Sequence, residues 1–245
     1  MPDTEVIVEG NVRGSSIDWL AKDITLEGSG AHVKADYLGG SVRGYAGPGS
    51  PLVLPGIGPT EAFEETPKAL VDAESAGVVD DDGDRIDCGG ACDLPGVGGS
   101  FGGRGSYPVQ PTTLPGSCRY SEAREVYGSI VDPFEFGSAG GWGFRAGRLV
   151  GPPGAGGGRV RMVAMDRMRI HTSAKVSADG QVGSVRSGQS TIAYGGSGSG
   201  GSISLHARVF YSDGLITADG GCTIYSGCGA GGRIAIVSGR SLDRL

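Results

Sequence analysis

The residue cluster with the most chemical promise is "DDDGDRIDCGGACD", in which Asp80, Asp82, Asp84 and Asp87 place acids at alternating positions around a glycine. Alternate carboxylates can converge on one hard cation, and Ca²⁺ takes six to eight oxygen ligands, so Ca²⁺ is the ion such a loop would hold. The match to an EF-hand is incomplete. Counted from Asp80, the sixth and twelfth places hold Arg85 and Ala91 where that loop needs Gly and a bidentate Glu. A solvated acidic loop is the plainer reading, and no other cofactor is expected.

Five cysteines make an odd number. Cys222 and Cys228 enclose five residues rich in turn formers, a spacing that can close a small loop, and a disulfide is expected there. Cys88, Cys92 and Cys118 have no assigned pairing, and zinc would want paired C-x-x-C spacings or nearby histidines. Asp36, Asp179 and Asp219 fall at matching places in a repeated phrase ("VKAD", "VSADG", "ITADGG"). They are either ion or sugar ligands or turn residues that accept hydrogen bonds from their own backbone. Arg159 and Arg233 follow Gly-Gly in matching copies and read as a solvated face rather than a substrate clamp.

Two strings satisfy G-x-G-x-x-G, at 196–201 and 227–232, but strands rather than helices follow both, so neither can aim a helix dipole at a phosphate. "GGSFG" at Gly98 fits G-x-S-x-G without the strand and helix that make a nucleophile elbow. His32, His171 and His206 have no acid partner nearby in sequence and read as structural. No catalytic residue is therefore expected.

These residues sit on a repeated framework. "GGRVRM", "GGSISL" and "GGRIAI" open three copies and "SSIDWL" a looser fourth. Ile17 precedes Val33 by sixteen positions, as Val160 precedes Val176, while Ile203 precedes Ile216 by thirteen. Apolar residues alternate within each copy, which predicts strands with one buried face. Gly-Gly and Asp-Gly pairs are expected to turn one short strand into the next through positive-φ corners. Repeats of this kind predict an all-β, parallel β-helix-like solenoid, with a β-sandwich or jelly roll as the alternative.

The chain divides into a first solenoid portion (1–36), a Gly/Pro-rich, Cys-containing insertion (37–156) and further solenoid repeats (157–245). Within the insertion "AFEETPKALVDAE" at 62–74 is the one helical candidate. The net charge of -6 lacks the basic footprint of a nucleic-acid binder, and no apolar run approaches the roughly 20 residues needed to span a bilayer. The first ten residues have no signal-peptide pattern and neither end carries a cap, so a piece of a longer protein is expected.

The order "GSFGGRGSY", "VYGSIVDPFEFGSAGGWG", "GAGGGRVRM", "VSADG", "GSGSGGSISL", "ITADGG", "GAGGRIAI" resembles glycine-rich repeat regions of very large secreted or surface-exposed proteins of plants, protists and bacteria. That resemblance covers roughly 98–237. It implies an extracellular or cell-surface scaffold without a reaction, whose partners are other segments of the same protein, matrix components or polysaccharide. A carbohydrate-active β-helix enzyme and a Ca²⁺-dependent binding module are the rivals. For the enzyme, Asp36, Asp166, Asp179, Asp213 and Asp219 would have to share a groove.

Overall fold

A computed structural model describes residues 4–39, 93–106, 126–141, 143–145, 148–184 and 194–239. Asp80, Asp82, Asp84, Asp87, Cys88, Cys92, Cys118 and the helical candidate at 62–74 lie outside these residues.

The described chain is all-β, with twelve strands and no helix among the described residues. They are β1 (Glu5–Val8), β2 (Asn11–Arg13), β3 (Ser16–Leu26), β4 (His32–Lys34), β5 (Asp93–Leu94), β6 (Gly143–Arg145), β7 (Arg148–Gly151), β8 (Arg159–Ile170), β9 (Lys175–Ser177), β10 (Ser202–Ser212), β11 (Leu215–Thr217) and β12 (Arg233–Ser238). Five form one sheet in the order β1-β3-β8-β10-β12, and four form a second in the order β2-β4-β9-β11. Every pairing in both is parallel. Sandwiches and jelly rolls are built from antiparallel sheets, so these two sheets do not follow that alternative. A small antiparallel sheet, β5-β6-β7, completes the set.

Alternation explains the core. Ile17, Val160 and Ile203 occupy one register position across β3, β8 and β10, and Ile234 on β12 continues the row. Val12, Val33, Val176 and Ile216 form the matching row in the second sheet. Between the sheets lie buried Ile24, Leu26, Met162, Met168, Ile170 and Leu205 as well. Each such side chain contributes about 1.5–3 kcal/mol relative to leaving it in water. Ile234 departs from expectation, since on the last strand it is exposed, with nothing stacked beyond it among the described residues.

The segments around Val160 and Ile170 are one strand of twelve residues, longer than the short pieces the alternation suggests. A register shift between Ala21 and Asp23, opposite Ala164 and Arg167, and again between Ala207 and Val209, bulges the sheet there. At the bulge Arg208 hydrogen-bonds Asp166 through both Nε and Nη2, and this bond holds the Asp166 carboxyl below the ordinary carboxylate range.

The glycines correct the expected corners. Among the described glycines only Gly28, Gly128 and Gly239 have positive φ. Most of the rest lie in runs that continue out of the sheets and pack against one another. In the central run, 194–201, Gly195, Gly198 and Gly201 donate to the carbonyls of Ser184, Gln181 and Ala178. Gly196 and Ser199 donate to Gly141 and Ser138, and Ser197 and Gly200 to Gly227 and Ala230, all at 2.7–2.9 Å. The donor direction thus returns every third residue, the period of a polyproline-II-type helix. Such a helix has no internal hydrogen bonds, so its buried amides must be satisfied by neighbours. Runs 95–99, 154–157 and 221 return bonds to carbonyls of the central run, which is therefore enclosed by six segments. A side chain at Gly198 would meet the backbone of Ala155 and Gly156, so close approach, not turning, selects glycine there. Of the enclosing segments, 95–99 and 138–141 come from the stretch expected to be an insertion, and 154–157 straddles its end.

Candidate functional site

The outward face of the five-stranded sheet is not solvated along its middle. Residues 126–136 cross it and are held by side chains that alternate out of the strands. Ser202 Oγ donates to the Glu135 carbonyl at 2.6 Å, Arg159 Nη1 to the Phe134 carbonyl at 3.4 Å, and Arg233 Nη2 to the Tyr127 carbonyl at 2.8 Å. The Arg159 guanidinium also lies 5.6 Å from the centre of the Phe136 ring, and that of Arg233 5.5 Å from Phe101. The two arginines expected on a solvated face therefore clamp this covering segment.

Beside it opens a cleft of about 260 Å³ lined by Asp18, Asp132, Pro133, Phe134, Arg159 and Arg161. Arg161 Nη1 is 4.0 Å from Asp18 Oδ2. Next to the cleft, Ser204 Oγ is 2.9 Å from His206 Nε2 and donates to Asp132 Oδ1 at 3.2 Å. Ser, His and Asp in one cluster invite a comparison with a catalytic triad, and the wiring refuses it. A triad needs the histidine to accept the serine proton on one nitrogen while the acid holds the other. Here Ser204 and Asp132 both face the same histidine nitrogen, Nε2, so the acid does not hold the other one. Asp132 Oδ1 sits 3.9 Å from that same Nε2, and Ser204 has no exposed surface. The cluster pins the covering segment to β10.

Burial pushes the His206 pKa below the ordinary histidine value, Arg161 pushes the same way, and Asp132 opposes both. Folding thus favours the neutral ring. As pH falls, the unfolded chain takes up this proton first, near pH 6.5, so stability is complete above that pH and declines toward the lower folded midpoint. The expected NMR titration of His206 has its midpoint below about 6.5, and Asp132→Asn lowers it further. A midpoint above that value would show that the Asp132 charge governs the site.

The column of aspartates is real but does different work from either expectation. Asp36 Oδ1 accepts from the Asp179 amide at 3.0 Å, and Asp179 Oδ1 from the Asp219 amide at 2.9 Å. Each carboxylate therefore bonds the backbone of the next copy, not its own. Asp179 Oδ2 also accepts from Lys175 Nζ at 3.1 Å and from Thr217 Oγ1 at 3.0 Å. Asp166 is engaged elsewhere, with Arg208 on the other sheet. Among the described residues no group of three or more His, Cys, Asp or Glu is placed to hold a metal ion.

The remaining motifs are accounted for locally. The amides of 196–201 all donate to other backbone carbonyls, which leaves none for a phosphate. Ser100, the serine of "GGSFG", is fully buried and its Oγ accepts from the Gly105 amide at 3.0 Å. His171 Nε2 has an acid partner that sequence distance concealed, Glu27 at 3.8 Å. Cys222 and Cys228 are joined through their sulfurs with Cα atoms 4.3 Å apart. The chain matches no protein-family model, no curated protein and no solved structure.

Proposed function

We propose that this chain is a noncatalytic structural or adhesion segment of a larger extracellular or cell-surface protein, wound as a β-solenoid. Each coil would take one strand from each parallel sheet, and the identical ordering of β1-β3-β8-β10 and β2-β4-β9-β11 supports that winding. The observation that carries the function is the engagement of the recurring polar residues. Asp36 and Asp179 bond the next copy's backbone, and Arg159 and Arg233 hold the covering segment. Recurring acids and bases used this way stabilise a scaffold. The joined sulfurs of Cys222 and Cys228 favour an oxidising compartment.

The cleft supports the second reading, a carbohydrate-active enzyme. Asp18 and Asp132 could accept from sugar hydroxyls, Arg161 could donate, and Phe134 offers an exposed ring. The two are separated by incubating the chain with neutral and uronate polysaccharides and measuring new reducing ends and unsaturated uronate. The expected result is retention on insoluble matrix polysaccharide without product. Product that disappears in an Asp132→Asn, Arg161→Ala double variant would replace the scaffold reading with the enzyme.

A further inference from the structure

The cleft beside the covering segment holds hydrogen-bonding groups that the fold leaves unused. On its floor Asp18 of β3 and Arg161 of β8 stand side by side in register. Arg161 makes no hydrogen bond among the described residues. Its Nε is buried without a partner, and Asp18 at 4.0 Å is beyond hydrogen-bond reach. The Asp18 side chain is 55 % exposed and that of Asp132 58 %, and Asp132 engages Ser204 through Oδ1 alone. Arg159, by contrast, is taken up by Ser16 Oγ at 2.6 Å and by the Phe134 carbonyl. These side chains project from the outward face, so strands paired at the edges of the sheet do not fill the cleft.

The opposite wall is held in place before any ligand arrives. Pro133 is fully buried, Ser129 Oγ accepts from the amides of Val131 and Asp132 at 3.3 and 3.2 Å, and Arg159 holds the Phe134 carbonyl. Asp132 is thereby fixed at one side of the cleft, and the Phe134 ring, 54 % exposed, stands at its rim. A wall anchored in this way loses little freedom on binding.

We infer that the cleft binds one neutral pyranose unit of a polysaccharide, with the Phe134 ring against its C–H face, Asp18 and Asp132 accepting from its hydroxyls and Arg161 donating to hydroxyl oxygens. The inference deepens the adhesion reading above and rests on it for the polymer that carries the sugar. An apolar surface with a few placed polar groups is the usual make-up of a small-molecule site. The volume of about 260 Å³ lies just under the roughly 300 Å³ at which sites for drug-sized ligands begin, so one ring is enclosed and its neighbours stay outside. Charge selects a neutral sugar over a uronate. The lining has two acids and two bases, but Arg159 is engaged within the protein, so a carboxylate would add a third negative charge against one available cation. The chain's net charge of -6 acts in the same direction. Hydroxyls both donate and accept, and so answer the carboxylates and the guanidinium together.

Depletion of the full chain from solution by insoluble β-1,3-glucan, mannan and xylan, with insoluble polygalacturonate as the anionic comparison, tests this. Retention on at least one neutral polymer is expected, and added salt should leave it unchanged because no ion pair to the ligand is involved. The matching free monosaccharide should release the protein, since one unit fills the cleft; release by longer oligosaccharides alone would overturn the single-unit site. Phe134→Ala and Arg161→Gln should each weaken retention about tenfold or more, the scale of one lost hydrogen bond to a charged group, at the parent's melting temperature. Retention on polygalacturonate alone, or on no neutral polymer, overturns the inference. Retention that survives both substitutions overturns the cleft as the site and leaves the adhesion reading standing. New reducing ends released by the parent, with retention still lost in both variants, would remove the noncatalytic reading and uphold the sugar site.

Discussion

Gly198→Ala is expected to destabilise the chain by about 3 kcal/mol or more, at the upper end of what overpacking costs, because the added methyl meets only backbone. The atoms it would strike are the Ala155 carbonyl and the Gly156 amide, which cannot rotate aside as the end of a side chain can. Both belong to a run bonded on its other sides, so displacing them disturbs further hydrogen bonds in the bundle. Gly231→Ala is the internal comparison. It lies in a neighbouring run, has ordinary φ, and an added Cβ there meets nothing within 4 Å, so a change within about 0.5 kcal/mol is expected. Urea denaturation of the two variants decides the matter. Equal midpoints would mean that glycine is chosen for composition or flexibility and not for the approach of backbones.

Asp179→Ala is expected to cost about 2–3 kcal/mol, since one carboxylate satisfies a backbone amide, an ammonium and a hydroxyl. Its removal leaves the Asp219 amide and Lys175 Nζ without that acceptor, and the loss is spread over two successive copies. Asp219→Ala, at the same repeat position but with an exposed residue at the end of the column, is expected to change stability by no more than about 0.5 kcal/mol. Thermal unfolding of the pair measures the difference. If both substitutions cost the same, the column is a row of independent turn residues, which is the reading their spelling alone suggests.

The strands were legible because their signal is local. Val160 and Met162, Ile203 and Leu205, and Val176 and Ala178 alternate at period two, and one inward face is all that a half-buried strand requires. Equal spacing from Ile17 to Val33 and from Val160 to Val176 also foretold that these residues share register rows, because parallel copies place equivalent residues side by side. The Cys222 and Cys228 pairing was readable for the same reason, being a short loop. The role of Arg159 and Arg233 was not. Their partners lie at Phe134 and Tyr127, far along the chain, and nothing in a Gly-Gly-Arg phrase distinguishes an arginine facing water from one facing a covering segment. The same distance hid Asp132 from Ser204 and His206.

By itself, then, the sequence determined the strand periodicity and part of the inter-sheet core, Val160, Met162, Val176, Ile203 and Leu205 among it, set by side-chain polarity along a few neighbouring positions. Tertiary structure alone decided what the glycines do. A residue without a side chain leaves no hydrophobic pattern to read, and the threefold bundle around 194–201 exists only because separate runs approach closely enough to satisfy one another's amides. It likewise decided that Asp36 and Asp179 reach across to the next copy, since a carboxylate's choice between its own backbone and a neighbour's depends on how near the neighbour is brought.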